Sequence, residues 1–498
     1  MGYSTMPDMI RRMTQAIEER PGFMAKNTRK AAEYFRKGTE ALKVENFGIA
    51  RTMLTKAHKL DSDNPDIMMR LAQVLLIMGF AQEALDVLNR CVKRKPNFPD
   101  SLLLLSQAHM ELKQIDEMHR ALDKGLAWDP THGACIHAKV TGYINSGETQ
   151  LAREVLERVG NVDHPHPLFL LASAKVARAS KEYSSAIDLI SSIIEHPNAL
   201  DRHKRSARFE LGHSLDAIGE YEKAFESFKV ANSGHMQGKL IHAESMISMW
   251  NPDMLASIPR STVETARPVF IVGMPRSGTT LTERILVAHP KVAAIGECAL
   301  IGHQLNRRSP TSLTGDDINS YTQEYVDMLS TQVDEDIERV VDKHMGAERT
   351  MGLISRMFPQ AKIIHCLRDP MDSCLSSFFQ NFGTNVSYSR DLSQLGKQYV
   401  AHRKVMDHWY QVLDLEMMQS SYEDLVAESE PRSRALVKHI GLEFDEQCLR
   451  FHESRDHVGT ASSVQVRKPI YQTSKQRWRN YEQHLGPLID QLGEYAHQ

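Results

Sequence analysis

Residues 268–297 read PVFIVGMPRSGTTLTERILVAHPKVAAIGE. The run Val269-Phe270-Ile271-Val272 is continuously apolar. Such runs belong to strands covered on both faces, as in a parallel sheet. Gly273 to Thr280 form a glycine-bounded loop, and Leu281, Arg284, Ile285, Leu286 and Ala288 continue at helical spacing up to Pro290. Strand, loop and helix in this order make a cradle for phosphate-like anions. Glycines let the backbone turn tightly and approach the anion, and the free N–H groups of the helix start point at it. The stretch predicts an α/β domain with a parallel sheet.

Gly273 and Gly278 have the spacing of the G-x-x-x-x-G-K-[ST] phosphate loop, but position 279 is Thr. Arg276 supplies the positive charge from inside the loop instead. In nucleotide triphosphatases the missing Lys reaches the β/γ-phosphates, so its absence argues against ATP hydrolysis.

Working outward, 498 residues suggest two to four domains. A hydrophobic fraction of 41% with 25% charged residues places the chain in the soluble globular class. Net charge is −3 and the pI about 6.8, so no global basic field argues for nucleic acid. No apolar run reaches the ~20 residues needed to cross a membrane. The six cysteines are scattered without a C-x-x-C pair, which predicts reduced thiols and a cytoplasmic protein. The 23 histidines show no ligand spacing, and no metal is predicted.

Before the loop lies a period of 34 residues. In frames starting at Ala31, Pro65, Pro99, Gly133 and Pro167 the eighth residue is Gly38, Ala72, Ser106, Val140 and Ala174. The twentieth is Ala50, Ala84, Met118, Ala152 and Ala186, and the twenty-fourth Leu54, Leu88, Leu122, Leu156 and Ile190. A sixth frame near Arg205 places Gly212, Ala224 and Phe228 likewise. This pattern resembles the tetratricopeptide repeat, a helix–turn–helix unit whose stacked copies form a solenoid. Small residues let the paired helices approach, and the large one fills the gap to the neighbour. The fourth frame, with Val140 at a small-residue place, is the weakest.

The expected organisation is a helical lead-in over 1–28, a repeat solenoid over 29–257, a linker over 258–267 and an α/β domain over 268–498. A terminal helix from Ala231 through Met254 should cover the last repeat, with Gly234 and Gly238 as points of interruption. In the α/β part, strands are predicted at Arg339–Lys343, Ala361–Leu367 and Leu415–Gln419. Helices are predicted over Gly352–Phe358, over Met371–Phe382 and from Tyr422.

Three stretches in order resemble the sulfotransferases that use 3′-phosphoadenosine 5′-phosphosulfate, PAPS. They are PRSGTT (Pro275–Thr280), RDPMDSCLS (Arg368–Ser376), and VRKPIY (Val466–Tyr471) with RWRNYEQHLGPL (Arg477–Leu488). The likeness covers about residues 268–498. It is closest to bacterial proteins that join tetratricopeptide repeats to a sulfotransferase domain, and the tyrosylprotein sulfotransferases are similar in the catalytic domain. PAPS carries two separate anions, so two sites are expected. One is the loop of Arg276, Ser277, Gly278, Thr279 and Thr280. The other is Arg368 with Ser376, since guanidinium suits forked bonds to phosphate.

The resemblance adds Tyr422, Arg467 and Lys468 near the nucleotide. It makes Lys343 the catalytic lysine, with Arg276 beside it, both stabilising charge on the leaving phosphate. A carboxylate base is the usual means of taking the acceptor's proton, and Glu297 is the candidate. In the tyrosylprotein enzymes two glutamates follow the corresponding glycine and the second is the base. Here Cys298 holds that second place, whereas counting from Arg276 puts Glu297 there. Gln380 stands where those enzymes carry a further arginine. The reaction implied is sulfuryl transfer to a hydroxyl or amine, with a protein or peptide, a tyrosine included, brought by the concave face of the repeats. The alternatives are a kinase-like phosphoryl transferase on the same loop and a repeat scaffold with an inactive domain.

Overall fold

The computed structural model describes residues 26–44, 46–160, 165–234, 240–298, 300–343, 346–453 and 475–497. The lead-in before Lys26, Gly238, and the VRKPIY stretch with Arg467 and Lys468 lie outside the described residues. The chain divides into two compact units, residues 1–135 and 136–498.

Among the described residues the 34-residue period becomes six helix pairs. They are α1 (Lys26–Lys43) with α2 (Phe47–Leu60), α3 (Pro65–Ile77) with α4 (Ala81–Arg94), and α5 (Pro99–Glu111) with α6 (Ile115–Trp128). Next come α7 (Gly133–Asn145) with α8 (Thr149–Val159), α9 (Pro167–Ala179) with α10 (Tyr183–Glu195), and α11 (Asp201–Ala217) with α12 (Tyr221–Asn232). Pro65, Pro99 and Pro167 open their helices, where a fixed φ near −65° suits the first turn and no N–H bond is lost. The turn inside a pair needs a left-handed residue at the fifteenth place of the frame, filled by Gly79, Lys113, Gly147 and Lys181 in succession.

The small residues do what the pattern requires. A Cβ added at Gly38 would lie 2.7 Å from Leu54 Cγ, and one at Gly212 would lie 2.6 Å from the Phe228 ring. Leu54, Leu88, Leu122, Ile190 and Phe228 are fully buried. Leu156 is only half-buried, and its neighbour Val155 takes the buried place.

The α/β part is a parallel five-stranded sheet in the order β2-β3-β1-β4-β5. The strands are β1 (Pro268–Gly273), β2 (Val292–Gly296), β3 (Arg339–Lys343), β4 (Lys362–Leu367) and β5 (Glu416–Ser421). Between them run α15 (Thr279–Val287), α16 (Leu300–Leu305), α17 (Gly315–Gln332), α18 (Met351–Met357), α19 (Pro370–Phe378) and α20 (Leu392–Val412). After β5 come α21 (Tyr422–Ala427) and α22 (Ser429–His439). β1 is buried throughout and feeds two cores in alternation. Phe270 and Val272 join Tyr325, Phe358 and Trp409 on one face, while Val269 and Ile271 join Ile285, Ile364 and Leu436 on the other. Strand side chains alternate between faces, so one apolar run serves both.

Two expectations are corrected. No strand was predicted over 292–296. Val-Ala-Ala-Ile-Gly has weak strand propensity, and β2 forms because β3 pairs with it. The terminal helix expected from Ala231 to Met254, with interruptions at Gly234 and Gly238, is instead the end of α12 followed by two short helices, α13 (Ala243–Met249) and α14 (Pro252–Ser257). These do not cover the last repeat. Ile241, Trp250, Leu255 and Ile258 share the sheet core with Phe270 and Trp409, because their apolar side chains bury against it. Residues 258–267 lack regular structure, but they lie along the sheet domain. Ser261 N–H donates to Arg356 O at 2.8 Å, Thr262 N–H to Asn319 Oδ1 at 2.8 Å, and Arg267 Nε to Ile337 O at 3.1 Å.

The sixth pair is built into the sheet domain. Phe225 and Phe228 of α12 stack on Phe378 and Phe379 at ring separations of 5.7 and 4.0 Å. Asn232 Nδ2 donates to Phe378 O at 2.8 Å.

Candidate active site

The loop after β1 holds an unusual backbone. Arg276 sits at φ 69° and Gly278, the N-cap of α15, at φ 100°. Left-handed backbone is costly for a residue with a Cβ, so Arg276 needs external support. α19 supplies it. Ser373 Oγ and Ser377 Oγ both donate to Pro275 O at 3.2 Å. Only glycine fits at 278, for a Cβ there would lie 3.0 Å from the Tyr422 ring. Ser277 Oγ is buried with no hydrogen-bond partner among the described residues.

Arg276 Nε donates to Ser376 Oγ at 2.9 Å, and Arg368 Nη1 donates to Arg276 O at 3.2 Å. The Arg368 guanidinium stands 4.6 Å over the Tyr422 ring. The two predicted anion sites are therefore joined, since Ser376 of the second holds Arg276 of the first. Asp369 caps α19 by accepting from Asp372 N–H at 2.9 Å, which fixes where Arg368 leaves the strand.

On the other side of β1, Lys343 ends β3 and is almost wholly buried. Its ammonium lies 3.2 Å from Glu297 Oε1 and 3.8 Å from Glu283 Oε2. Glu297 follows β2 and is exposed, whereas Glu283 is buried on α15. Next to Lys343, Asp342 accepts from Tyr325 OH at 3.0 Å and from Cys298 N–H at 3.3 Å. Burial pushes the Asp342 carboxyl up to about 7, against the pull of those two bonds. Cys298 Sγ turns to Met328 Sδ at 3.7 Å, and burial followed by the Asp342 charge pushes its thiol up to about 12. Glu297 thus faces Lys343 and solvent, while Cys298 turns into the core.

Asp372, one turn along α19, is buried with Oδ2 4.0 Å from Arg368 Nη2. It accepts N–H bonds from Gln476 at 2.6 Å and Trp478 at 3.0 Å. The turn Arg477–His484 begins there. Asp216 of α11 bonds Arg477 and accepts from Tyr481 OH at 2.5 Å.

The structure brings together Arg276, Ser277, Gly278, Thr279, Thr280, Arg368, Ser376 and Tyr422 around one loop, and Lys343 with Glu297 on neighbouring strands. Glu283, Asp342, Asp372, Ser373 and Ser377 are not among the residues expected from sequence. Two of these left a signal. An acid interrupts the apolar helix run at 283, and another interrupts a buried strand at 342. Among the described residues no helix is long and apolar enough to cross a membrane.

Residues 268–446 match the sulfotransferase family and residues 35–99 the tetratricopeptide repeat. An uncharacterized protein of Aquifex aeolicus is 28% identical over 429 residues, which are 81% of this chain and 56% of that protein. Protein-tyrosine sulfotransferase 2 of Gallus gallus is 25% identical over 264 residues, 45% of this chain and 68% of that protein. The solved sulfotransferase domain of the Synechococcus olefin synthase is 20% identical with a TM-score of 0.33, covering 45% of this chain and 91% of that one. The chain spans little more than half the length of the Aquifex relative. The chain thus joins a segment similar to the tetratricopeptide repeat to one similar to the sulfotransferase family.

Proposed function

We propose that the chain transfers the sulfuryl group of PAPS to a hydroxyl or amine acceptor, foremost a protein tyrosine presented by the repeats, in the cytoplasm. One observation carries the reading. Glu297, Lys343, the Arg276 loop, Arg368 and Tyr422 end or follow β2, β3, β1, β4 and β5 of one parallel sheet. They therefore share its carboxyl edge, where open α/β sheets bind ligands. The six free cysteines suit a reducing compartment.

The residues fit the co-substrate. The start of α15 offers backbone N–H groups, Ser277 offers a buried hydroxyl with no partner among the described residues, and Arg276 and Arg368 offer two cations on a shared scaffold. Charge-assisted bonds are each worth about 1.5–3 kcal/mol. Three or four reach the roughly 8 kcal/mol of a micromolar ligand before ordering costs are subtracted. Ser277 to Thr280 and Arg276 would hold the 5′ anion. Arg368, Ser376 and Tyr422 would hold the 3′ side, with Arg467 and Lys468 as further nucleotide contacts. Bound PAPS supplies the sulfuryl group and leaves as the bisphosphate PAP.

The chain's own residues do the rest. Glu297, exposed and already hydrogen-bonded to a cation, takes the proton of the acceptor on its carboxylate. Such a base contributes typically 10²–10⁴ in rate. Lys343, held away from water, and Arg276 face the growing negative charge with fixed positive charge and need little reorganisation.

The test is labelled PAPS with a cell lysate as acceptor pool. Wild-type protein labels an acceptor, and Arg276→Ala and Lys343→Ala lower labelling by at least about 10²-fold. Equal labelling by both variants overturns the assignment. Calorimetry showing tight Mg²⁺-dependent ATP binding and no PAP binding would favour the kinase-like alternative.

A further inference from the structure

Lys343 faces a conflict that the site must resolve. Its ammonium touches Glu297 at 3.2 Å, so the proposed base and the proposed cation form an ion pair. When Glu297 turns to an acceptor, a nearly buried ammonium would lose its counter-charge. Desolvation then favours the neutral amine, and the positive charge needed at the leaving group is lost. A second carboxylate, Glu283, stands 3.8 Å from the same ammonium. It comes from α15, the helix that begins at the anion loop, and is itself buried.

We propose that Glu283 is a positioning residue that keeps Lys343 charged and leaves Glu297 free to act as base. The proposal rests on the reading of Lys343 and Glu297 above. Glu283 does this in two ways. Its negative charge holds the ammonium protonated while Glu297 is engaged. It also repels the Glu297 carboxylate, which eases the turn of Glu297 from Lys343 toward an acceptor. The helix that grips the donor thus carries the counter-ion of the catalytic lysine, and donor grip and lysine charge share one rigid element.

Other groups around the ammonium bear on its titration. Asp342 is adjacent on β3, and both Glu283 and Lys343 act on it. Cys366 of β4 feels the Lys343 charge, although burial holds its thiol up at about 12. Tyr325 of α17 and Cys298 after β2 act through Asp342. Asp342 titrates within the assay range, so a background lacking it is needed.

The experiment follows labelled transfer into the lysate pool and PAP affinity by calorimetry, each from pH 5 to 10. Full-length wild type, Glu283→Gln, Glu283→Asp and Lys343→Ala are compared, and Glu283→Gln is repeated with Asp342→Asn. Removing the Glu283 charge takes away one of the two carboxylates that share the Lys343 ammonium. Both limbs of the transfer profile should move down by about one pH unit in Glu283→Gln, as should the alkaline fall in PAP affinity. Glu283→Asp, which keeps the charge, should return both limbs toward wild type, and the shift should persist in the Asp342→Asn background. A loss of amplitude with unmoved limbs makes Glu283 merely structural and overturns the proposal. Lys343→Ala with wild-type transfer instead overturns the underlying reading of the site.

Discussion

The turn over residues 477–484 is held from two sides by two aspartates that behave oppositely. On the repeat side, Asp216 meets the side chains of Arg477 and Tyr481. Burial alone would raise its carboxyl, but the Arg477 bond and charge and the Tyr481 bond outweigh it and hold the group below the ordinary aspartate range. On the sheet side, Asp372 meets the backbone N–H groups of Gln476 and Trp478, with the Arg368 guanidinium only at 4.0 Å. There burial wins over the Arg368 charge and the two N–H bonds, and the carboxyl is raised. The repeat-side contact is a salt bridge that fastens the turn. The sheet-side contact is a weaker charge arrangement that ties the same turn to an arginine of the proposed donor site. The sixth helix pair is therefore also a brace for the sheet domain.

The comparison breaks most visibly at Asp216. Asp216→Asn leaves the Arg477 guanidinium without its carboxylate, and hydrogen bonds to charged groups are worth about 1.5–3 kcal/mol. Arg477 is 39% exposed, so water recovers part of the loss. The expected cost is about 2 kcal/mol, or a few degrees in thermal midpoint for a unit of this size. PAP affinity, measured by calorimetry, should stay within about two-fold. A variant as stable as wild type would show that the repeat does not fasten the turn.

Much of this arrangement was not legible in the chain, for a physical reason. The loop, β1 and α15 could be read because strand run, glycines and helix spacing are local and agree. The repeats could be read because a fixed period multiplies a weak signal over five frames, with a sixth four residues late. Asp216 and Arg477 are 261 positions apart, and nothing local marks them as partners. The passage into the sheet domain at 241–258 carries no local signal, because Trp250 and Leu255 are equally apolar whichever core receives them. Lys343 and Glu297 were found by resemblance. Glu283 was not, though an acid amid Leu281, Ile285 and Leu286 had already broken the apolar pattern.

Asp372 should sharpen the comparison with a smaller effect of a different kind. An Asn there cannot accept both N–H bonds with both of its side-chain groups and offers no charge to Arg368. PAP affinity should fall about ten-fold, equivalent to about 1.4 kcal/mol. Stability should fall by less than in Asp216→Asn, since ionising a buried carboxyl was already costly. Unchanged PAP affinity would separate the turn from the donor site.

The smallest effect is one of slope. A lowered folded-state pKa at Asp216 means that its contribution is present above the unfolded aspartate value of about 3.9 and is lost as pH falls through the folded value. The stability gap between wild type and Asp216→Asn should therefore close as pH is lowered from 5 to 3. At Asp372 the folded value is raised, so the folded state holds the proton more tightly. Its contribution is present below about 3.9 and is lost as pH rises through the folded value. The gap between wild type and Asp372→Asn should accordingly shrink in the other direction, as pH rises from 3 to 6. Thermal midpoints of the three proteins across that range measure both slopes at once. Opposite slopes are the signature of one carboxylate held by a guanidinium and another held against its burial, whereas two parallel curves would mean that the aspartates are equivalent clamps.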